Sequence, residues 1–530
     1  MNLIGNINAI PFRRFRGGGG VAPFPSIPGM IARYSALGLT NEQMAANPVW
    51  VDKTGNGYDL QLKNFSWKGM SGVGGYGDEN HQTFYKFTLD DYVFIASPPG
   101  AKHMNFTFRV TGLQPGNKLT LAFFGTTNTV YGTWNKDGIY TVDADIVEAG
   151  KPTYFYNGYG ATRGEFTIEI LPLYPGALVF DGVDDYGTCN NFPILTKEKG
   201  YTVVALRQWI TYNPNAISAI ATNASDRSFN GAFTFENYNK GAEQTISYGA
   251  TQISLQYLKS PFSWQTTSKY NGVNIANGNK DATNSLVLGR SYPQRNDFAN
   301  FAIWELVFLD HDATEEELTK IKDYFVKTYP WLFPDQAWTT VGKTNEDEDR
   351  ATIANITGNG NDLILSNFGF VEGSGYNEEG EYAGYLVTDG VDDKIVSSVF
   401  GMGKDWTVIG DWELINTGKN DNAGIVKFDS IVIYNYNSIL INIKNGRNIL
   451  IPDQNTVNAI CSDGRIYSKD WKESIYNEET ESTSKNFLTI GYSGNTYTKI
   501  AFKNLAIYPT VLSREDCIKA YNYLQTLKAK

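Results

Sequence analysis

Two short acidic strings are the residues of this chain best equipped for chemistry. Asp181-Gly182-Val183-Asp184-Asp185 and Asp389-Gly390-Val391-Asp392-Asp393 each place three carboxylates within five residues. Hard oxygen donors at that density suit a calcium ion, and Asp-Gly is equally the ordinary chemistry of a tight hairpin turn. The turn reading is adopted here, with no metal and no cofactor assigned. The densest acidic run, Glu346-Asp347-Glu348-Asp349, lies between Asn345 and Arg350 in a loop-like stretch and reads as a solvated charge patch.

Hydrolytic chemistry finds no support. A retaining glycosidase needs a nucleophile and an acid roughly 5–5.5 Å apart, which a strand supplies as an E-x-D-x-x-E string, and the chain contains none. Sialidase-type Asp boxes, a G-x-S-x-G elbow, H-E-x-x-H and a phosphate loop are also missing. No enzymatic activity is expected. Cys189, Cys461 and Cys517 are too few for a disulfide framework and share no ligand spacing with His81, His103 or His311, so they read as isolated thiols. Sugar binding needs an exposed ring beside polar groups, and Trp67, Trp134, Trp264 and Trp471 are the candidates for such a stacking face.

Composition says what must position these residues. Of 530 residues 14% are aromatic and only 19% charged, with 42% hydrophobic overall, a balance that favours half-buried pleated surfaces. The length allows three to four domains. A net charge of -11 argues against nucleic acid as a partner. The opening MNLIGNINAIPFRRFRGGGG lacks the apolar core of a secretory signal, and no apolar run is long enough to insert in a membrane.

Internal repetition organises the chain. Thr54-Gly55-Asn56-Gly57-Tyr58-Asp59-Leu60 through Asn64-Phe65 returns as Thr357-Gly358-Asn359-Gly360-Asn361-Asp362-Leu363 through Asn367-Phe368, an offset of 303 residues. The two acidic strings are offset by only 208. A third block, Leu286 to Gly289, Trp304 to Phe308 and Thr314 to Leu318, matches Leu488 to Gly491, Lys503 to Ile507 and Ser513 to Cys517. The first copy therefore carries about 95 extra residues, an inserted domain with its own alternating runs, Phe106 to Val110 and Leu119 to Phe124, around the turn Gly112-Leu113-Gln114-Pro115-Gly116-Asn117-Lys118. Each repeat closes with a helix, capped by Thr314 or Ser513 and carrying Leu318, Ile321 and Phe325 or Cys517, Tyr521 and Leu524 on its apolar face.

The Gly-Asn-Gly-x-Asp-Leu strand, the Asp-Gly-Val-Asp-Asp turn and the terminal acidic-capped helix resemble those of laminin-G-like domains, the concanavalin A-type jelly rolls. The resemblance covers about 430 residues, twice over. It implies an all-β chain of two concanavalin A-like jelly-roll sandwiches, the first interrupted by an inserted β-sandwich, in a superfamily that serves carbohydrate binding, adhesion and sometimes glycan hydrolysis. The expected domains are an extended N-terminal arm, 1–28; a discontinuous first jelly roll, 29–76 and 174–333; the insertion, 77–173; and a second jelly roll, 334–530.

The arm holds Phe12, Arg13, Arg14, Phe15 and Arg16, no acidic residue, and then Gly17 to Gly20 and Pro23, Pro25 and Pro28. Such a segment buries no core of its own. Its Arg residues suit carboxylates and its Phe residues suit pockets on another protein, so these five residues are read as an anchor. Basic arm, Gly run and tandem laminin-G-like modules together resemble fibre and appendage proteins of tailed phages infecting gut Bacteroidales, the crAss-like group among them. That resemblance implies a virion protein made in the host cytoplasm, a head fibre or tail appendage. It would be docked by its arm on capsid or tail proteins, be assembled as a homotrimer, and present its modules to host surface glycans. The alternative is a bacterial glycan-binding or glycan-hydrolysing surface protein.

Overall fold

Strands form because apolar residues recur with period two. Leu60-Gln61-Leu62-Lys63 and its copy Leu363-Ile364-Leu365-Ser366 both bury the first and third side chain and expose the others. The computed structural model describes residues 23–529 apart from several stretches, the longer being 77–83, 97–102, 159–165, 212–217, 226–233, 239–251, 266–281, 291–296, 416–423 and 476–487. No helix among these residues is long and apolar enough to cross a membrane. Two compact units emerge, one chiefly Tyr329–Lys530 and the other chiefly Ala22–Asp137 with Thr141–Thr328.

The protein is all-β. In the first jelly-roll sandwich, a seven-stranded sheet runs in the order Gly72–Val73, Leu178–Asp181, Asn300–Leu309, Thr202–Thr211, Gln252–Lys259, Ser263–Gln265, with Met30–Ser35 also paired to Asn300–Leu309. The facing six-stranded sheet runs Val49–Trp50, Leu60–Lys63, Tyr186–Cys189, Ala282–Leu288, Ser218–Ala224, Thr234–Tyr238. The two share one core, which includes Trp50, Leu62, Phe180, Val203, Trp209 and Phe301.

The second sandwich repeats both orders. Gly375–Tyr376, Leu386–Val387, Ile500–Tyr508, Thr407–Leu414, Val457–Cys461 and Arg465–Ser468 take the corresponding places in one sheet, and Gln336–Thr339 pairs with Ile500–Tyr508 as Met30–Ser35 pairs with Asn300–Leu309. The other sheet begins Thr352–Ile353, Leu363–Ser366, Lys394–Ser397, Leu488–Ile490 and extends through hairpins to eight strands.

Between the two halves of the first sandwich, strands Phe84–Phe87, His103–Thr111, Gly138–Asp145 and Phe166–Ile170 form one four-stranded sheet and Tyr92–Ala96, Lys118–Phe123, Thr129–Trp134 and Pro152–Gly158 another. Phe106 and Phe108 pack edge-on to Phe155 between them. The chain leaves and returns through one neck, where Gly74 N donates to Ala177 O at 2.8 Å and Tyr174 N to Gly74 O at 2.7 Å.

Three α-helices occur among the described residues: α1 (Asn41–Ala46), α2 (Glu315–Thr328) and α3 (Arg514–Leu524). The short α1, capped by Thr40, was not expected from the sequence. Thr314 accepts from Glu317 N and returns its own N–H to the Glu317 carboxylate at 2.8 Å, a capping box. Ser513 caps α3 through Asp516 N. A threonine bolts each helix approach to its sheet. Thr202 Oγ1 donates to His311 O at 2.7 Å and accepts from Ala313 N at 2.8 Å, and Thr407 Oγ1 bridges Thr510 O and Leu512 N, both at 2.9 Å.

One expectation needs correction. The arm was drawn to residue 28, yet the Phe24 ring lies 4.8 Å from that of Tyr324, the Arg33 guanidinium sits 4.1 Å from its centroid, and Ile27 is buried. Residues from Phe24 onward thus dock on the first sandwich, because a Phe ring laid over a cation and against a Tyr hides more apolar surface than a solvated tail could. The three cysteines are free and buried, Cys189 beside Asn191, Cys461 at the end of strand Val457–Cys461, and Cys517 on α3, which packs on the same sheet.

The first sandwich buries one ion pair of consequence. Glu305, fully buried, accepts Arg33 Nε and Nη2 at 3.0 Å each and Ser35 Oγ at 2.7 Å, while Arg33 also reaches Tyr324 Oη on α2. Glu305→Ala leaves the guanidinium without its counter-charge. Urea unfolding of the full chain is expected to show a loss of about 3–5 kcal/mol in this unit. A loss under about 1 kcal/mol would show that the pair does not hold α2 to the sheet.

Candidate functional site

All three repeated sequence blocks are places where the chain crosses from one sheet of a sandwich to the other. Strand Leu60–Lys63 passes to Gly72–Val73, Leu178–Asp181 to Tyr186–Cys189, and Ala282–Leu288 to Asn300–Leu309, with each pair divided between the two sheets. The second sandwich crosses at the same three points.

The corners are knotted together by the acidic turn. Asp181 Oδ1 accepts the N–H groups of Val183 at 2.8 Å and Asp184 at 3.3 Å, closing the turn. Buried Asp185 accepts Asp181 N at 3.0 Å and, from the first corner, Ser71 Oγ at 2.9 Å. Asn64, held at φ 67°, donates to Asp184 O at 3.1 Å. Every contact has a copy: Asp389 accepts Val391 N, Asp393 accepts Asp389 N at 2.7 Å and Ser374 Oγ at 3.2 Å, and Asn367 at φ 70° donates to Asp392 O at 3.0 Å. At the third corner Gly289 (φ 77°) lies so close that an added Cβ would fall 2.6 Å from the Phe180 ring and 3.0 Å from Asp185 O, so only glycine fits there.

The three carboxylates of each turn lie within 4.8 Å of one another, the arrangement that raises the calcium question. The turn accounts for them by itself: both oxygens of the buried aspartate are taken by protein donors, and Asp181 and Asp389 cap their own turns. Burial, then the neighbouring Asp181 charge, pushes the Asp185 carboxyl up to about 8. Burial raises Asp393 to about 6.

A patch of rings and a cation flanks each knot. Tyr186 follows Asp185 directly, Arg290 follows Gly289, and Phe298 precedes the third corner's return strand. The Arg290 guanidinium stands 5.3 Å from the Tyr186 centroid and 5.4 Å from that of Phe298. In the second sandwich the partners are exchanged. Lys394 occupies the place of Tyr186 and Tyr492 that of Arg290, with the ammonium 5.2 Å from the Tyr492 ring and Tyr497 5.2 Å further along. All six side chains are half-exposed. Beyond them Val183 and Val391 protrude at the turn tips, 72% and 70% exposed. The arrangement offers flat ring faces beside carboxylate acceptors and a cation, which suits a polyhydroxylated ligand with apolar C–H faces.

Of the four tryptophans nominated for sugar stacking, Trp471 is 1% exposed and packs edge-on to Tyr521, a core residue. Trp134 is half-buried against Phe108. Trp67, at φ 56°, stacks on Phe65 at 4.8 Å in the same hairpin as Ser71 and stays half-exposed, as does its counterpart Phe370. The Trp264 side chain lies outside the described residues, as do Phe12, Arg13, Arg14, Phe15 and Arg16 of the proposed anchor. The tyrosines of the patch were missed, although Tyr186 and Tyr492 each directly follow a residue of a repeated block.

No protein-family model matches the chain, and no curated protein matches it in sequence. Among solved structures it is similar to the receptor binding domain of botulinum neurotoxin type G (13% identity, TM-score 0.22, 36% of this chain and 50% of that one). It is also similar to Trypanosoma rangeli sialidase in complex with sialic acid (9%, 0.24, 73% and 68%) and to the botulinum neurotoxin serotype D binding domain (10%, 0.24, 65% and 89%). The chain thus spans half the length of the type G domain. At such scores the fold rests on the sheets described above.

A carboxyl raised by folding favours the folded state at low pH, and that contribution is lost as pH climbs from the unfolded value, 3.8, through the folded one. For Asp185 the window runs from about 4 to about 8. Asp185→Asn keeps an acceptor for Asp181 N and removes the charge. Unfolding measured across pH is expected to move in the variant's favour, relative to wild type, by about 1–3 kcal/mol between pH 5 and pH 8. A difference that does not change with pH would contradict a neutralised Asp185.

Proposed function

We propose that this chain is a non-catalytic structural protein of a tailed-phage virion, a head fibre or tail appendage, whose two sandwiches contact glycans on the host surface. The observation that carries the glycan reading is the ring-and-cation patch that both sandwiches keep beside the sheet-crossing knot. The patch survives an exchange of partner types, Tyr186 with Arg290 against Lys394 with Tyr492. A pair that changes residues while keeping its geometry serves the surface it makes.

Sugar rings bind by laying C–H faces on aromatic rings while their hydroxyls donate to carboxylates, and each patch adjoins the exposed Asp184 or Asp392. Two modest sites on one chain, and more in an oligomer, favour adhesion to a repetitive polymer over capture of a single sugar. The non-catalytic reading draws support from the carboxylates, since Asp181 with Asp185, and Asp389 with Asp393, accept the hydrogen bonds that close their own turns. The arm, with Phe12, Arg13, Arg14, Phe15 and Arg16, supplies the attachment to capsid or tail, and a homotrimer is the expected assembly.

Binding to polysaccharides from the host surface is expected to fall at least about tenfold, a loss of 1.4 kcal/mol or more, in a variant combining Tyr186→Ala with Tyr492→Ala. Removing residues 1–22, which spares Phe24, is expected to leave that binding intact while abolishing incorporation into particles. Unchanged binding by the double variant would refute the patch as the contact. Release of reducing ends by the full chain would replace this reading with a glycan hydrolase.

A further inference from the structure

Where the chain enters the first sandwich, one imidazole joins three segments. His311 sits in the loop between strand Asn300–Leu309 and α2. Its Nδ1 lies 3.0 Å from Asp310 Oδ1, and its Nε2 lies 3.3 and 3.2 Å from the two carboxylate oxygens of Glu317. Glu317 is the acid of the α2 capping box and already accepts Thr314 N at 2.8 Å and Thr314 Oγ1 at 2.9 Å. The third segment enters at Gly29, held at φ 68°, whose carbonyl accepts Asp310 N at 2.9 Å. A Cβ on Gly29 would strike Asp310 Oδ1 and fall 2.9 Å from His311 Nδ1. Upstream of it, Phe24 packs on Tyr324 of the same helix.

We propose that His311 is a pH-operated latch, which as an imidazolium fastens the first turn of α2 to the root of the N-terminal arm and loosens when the ring loses a proton. Both ring nitrogens face carboxylate oxygens, which only accept. An imidazolium has two N–H donors and satisfies both, whereas a neutral ring has one and turns a lone pair on the other carboxylate. Burial disfavours the charged ring, but the hydrogen bonds to Asp310 and Glu317 outweigh it and hold the pKa above its ordinary value of 6.5. The side chain is 34% exposed, so the proton passes to solvent. A pKa raised by folding means that the latch contributes fully below the unfolded value and is lost as pH climbs through the folded one.

Among the described residues, the other titratable groups on the surrounding elements are Asp312 on the loop, Glu315 and Glu316 in the first turn of α2, Lys320, which pairs with Glu316 at 2.7 Å, and Tyr201 ahead of strand Thr202–Thr211. Tyr201 keeps its proton, because burial raises it well above the ordinary value. Residues 24–29 contribute no charge. The excess of acids over bases favours the charged ring. The second sandwich has the cap without the latch: Pro509 and Thr510 stand where Asp310 and His311 do, and Ser513 with Asp516 begins α3. Shared architecture therefore does not require the imidazole. The inference stands whether or not the sandwiches bind glycans.

The test uses the full-length protein with its three histidines labelled in the ring and followed by NMR from pH 5 to pH 9. The signal lost in His311→Gln is that of His311; should this variant fold poorly, His81→Gln and His103→Gln assign it by elimination. The His311 midpoint is expected to lie higher in the folded chain than in urea. It is expected to fall in Glu317→Gln, which keeps an acceptor for the capping box and removes the charge. Amide hydrogen exchange is compared between wild type and His311→Gln at equal pH, so that Asp185 and the intrinsic rates cancel. Extra protection of the wild type is expected at the first turn of α2 and at residues 26–30 at pH 6, and is expected to vanish by pH 9. A midpoint no higher in the folded chain than in urea, or a difference in protection that is absent or equal at both pH values, would overturn the proposal.

Discussion

The structure depends on a buried carboxylate that ties together the places where the chain changes sheets. A jelly roll must carry its chain between two sheets repeatedly, and each crossing leaves backbone N–H groups without a ladder partner. Asp185 and Asp393 answer that demand by accepting the first N–H of their own turn and a serine hydroxyl from the neighbouring crossing. Holding a carboxyl there raises its pKa, because burial disfavours the charged form.

That constraint explains which residues repeat. Asn64 and Asn367 must adopt a left-handed backbone, Ser71 and Ser374 must reach the acid, and Gly289 and Gly491 must let the third crossing approach. Ordinary strand positions face no such demand and have drifted, and the facing sheet of the second sandwich has gained hairpins at its far edge. The insertion enters beside the first crossing, at a neck where the two departing strands bond to each other, so it leaves the knot untouched.

Legibility in the sequence follows the same line. The repeats, the terminal helices and the interruption could be read because turn and cap chemistry restricts residue type. Which sheet each strand joins could not be read, because alternation gives a buried face and names no partner. The ring-and-cation patch was hidden by the exchange of Tyr186 for Lys394 and of Arg290 for Tyr492, which breaks similarity at both positions while keeping the contact. Trp471 misled because a tryptophan's appeal as a sugar platform says nothing of burial, and it is core.

The knot places its chemistry at the surface. The aspartate and glycine at the heart of each knot, Asp185 with Gly289 and Asp393 with Gly491, are buried, while the next residue along each strand emerges half-exposed with a ring or a cation. The central claim is that these patches are where glycan is held. The most direct measurement is a crystal structure of the full chain with an oligosaccharide cut from the host polysaccharide it binds. The account requires a sugar ring against Tyr492 and Tyr497, or against Tyr186 and Phe298, with hydroxyls directed to the adjacent aspartates. A sugar bound elsewhere, with both patches bare, would contradict it.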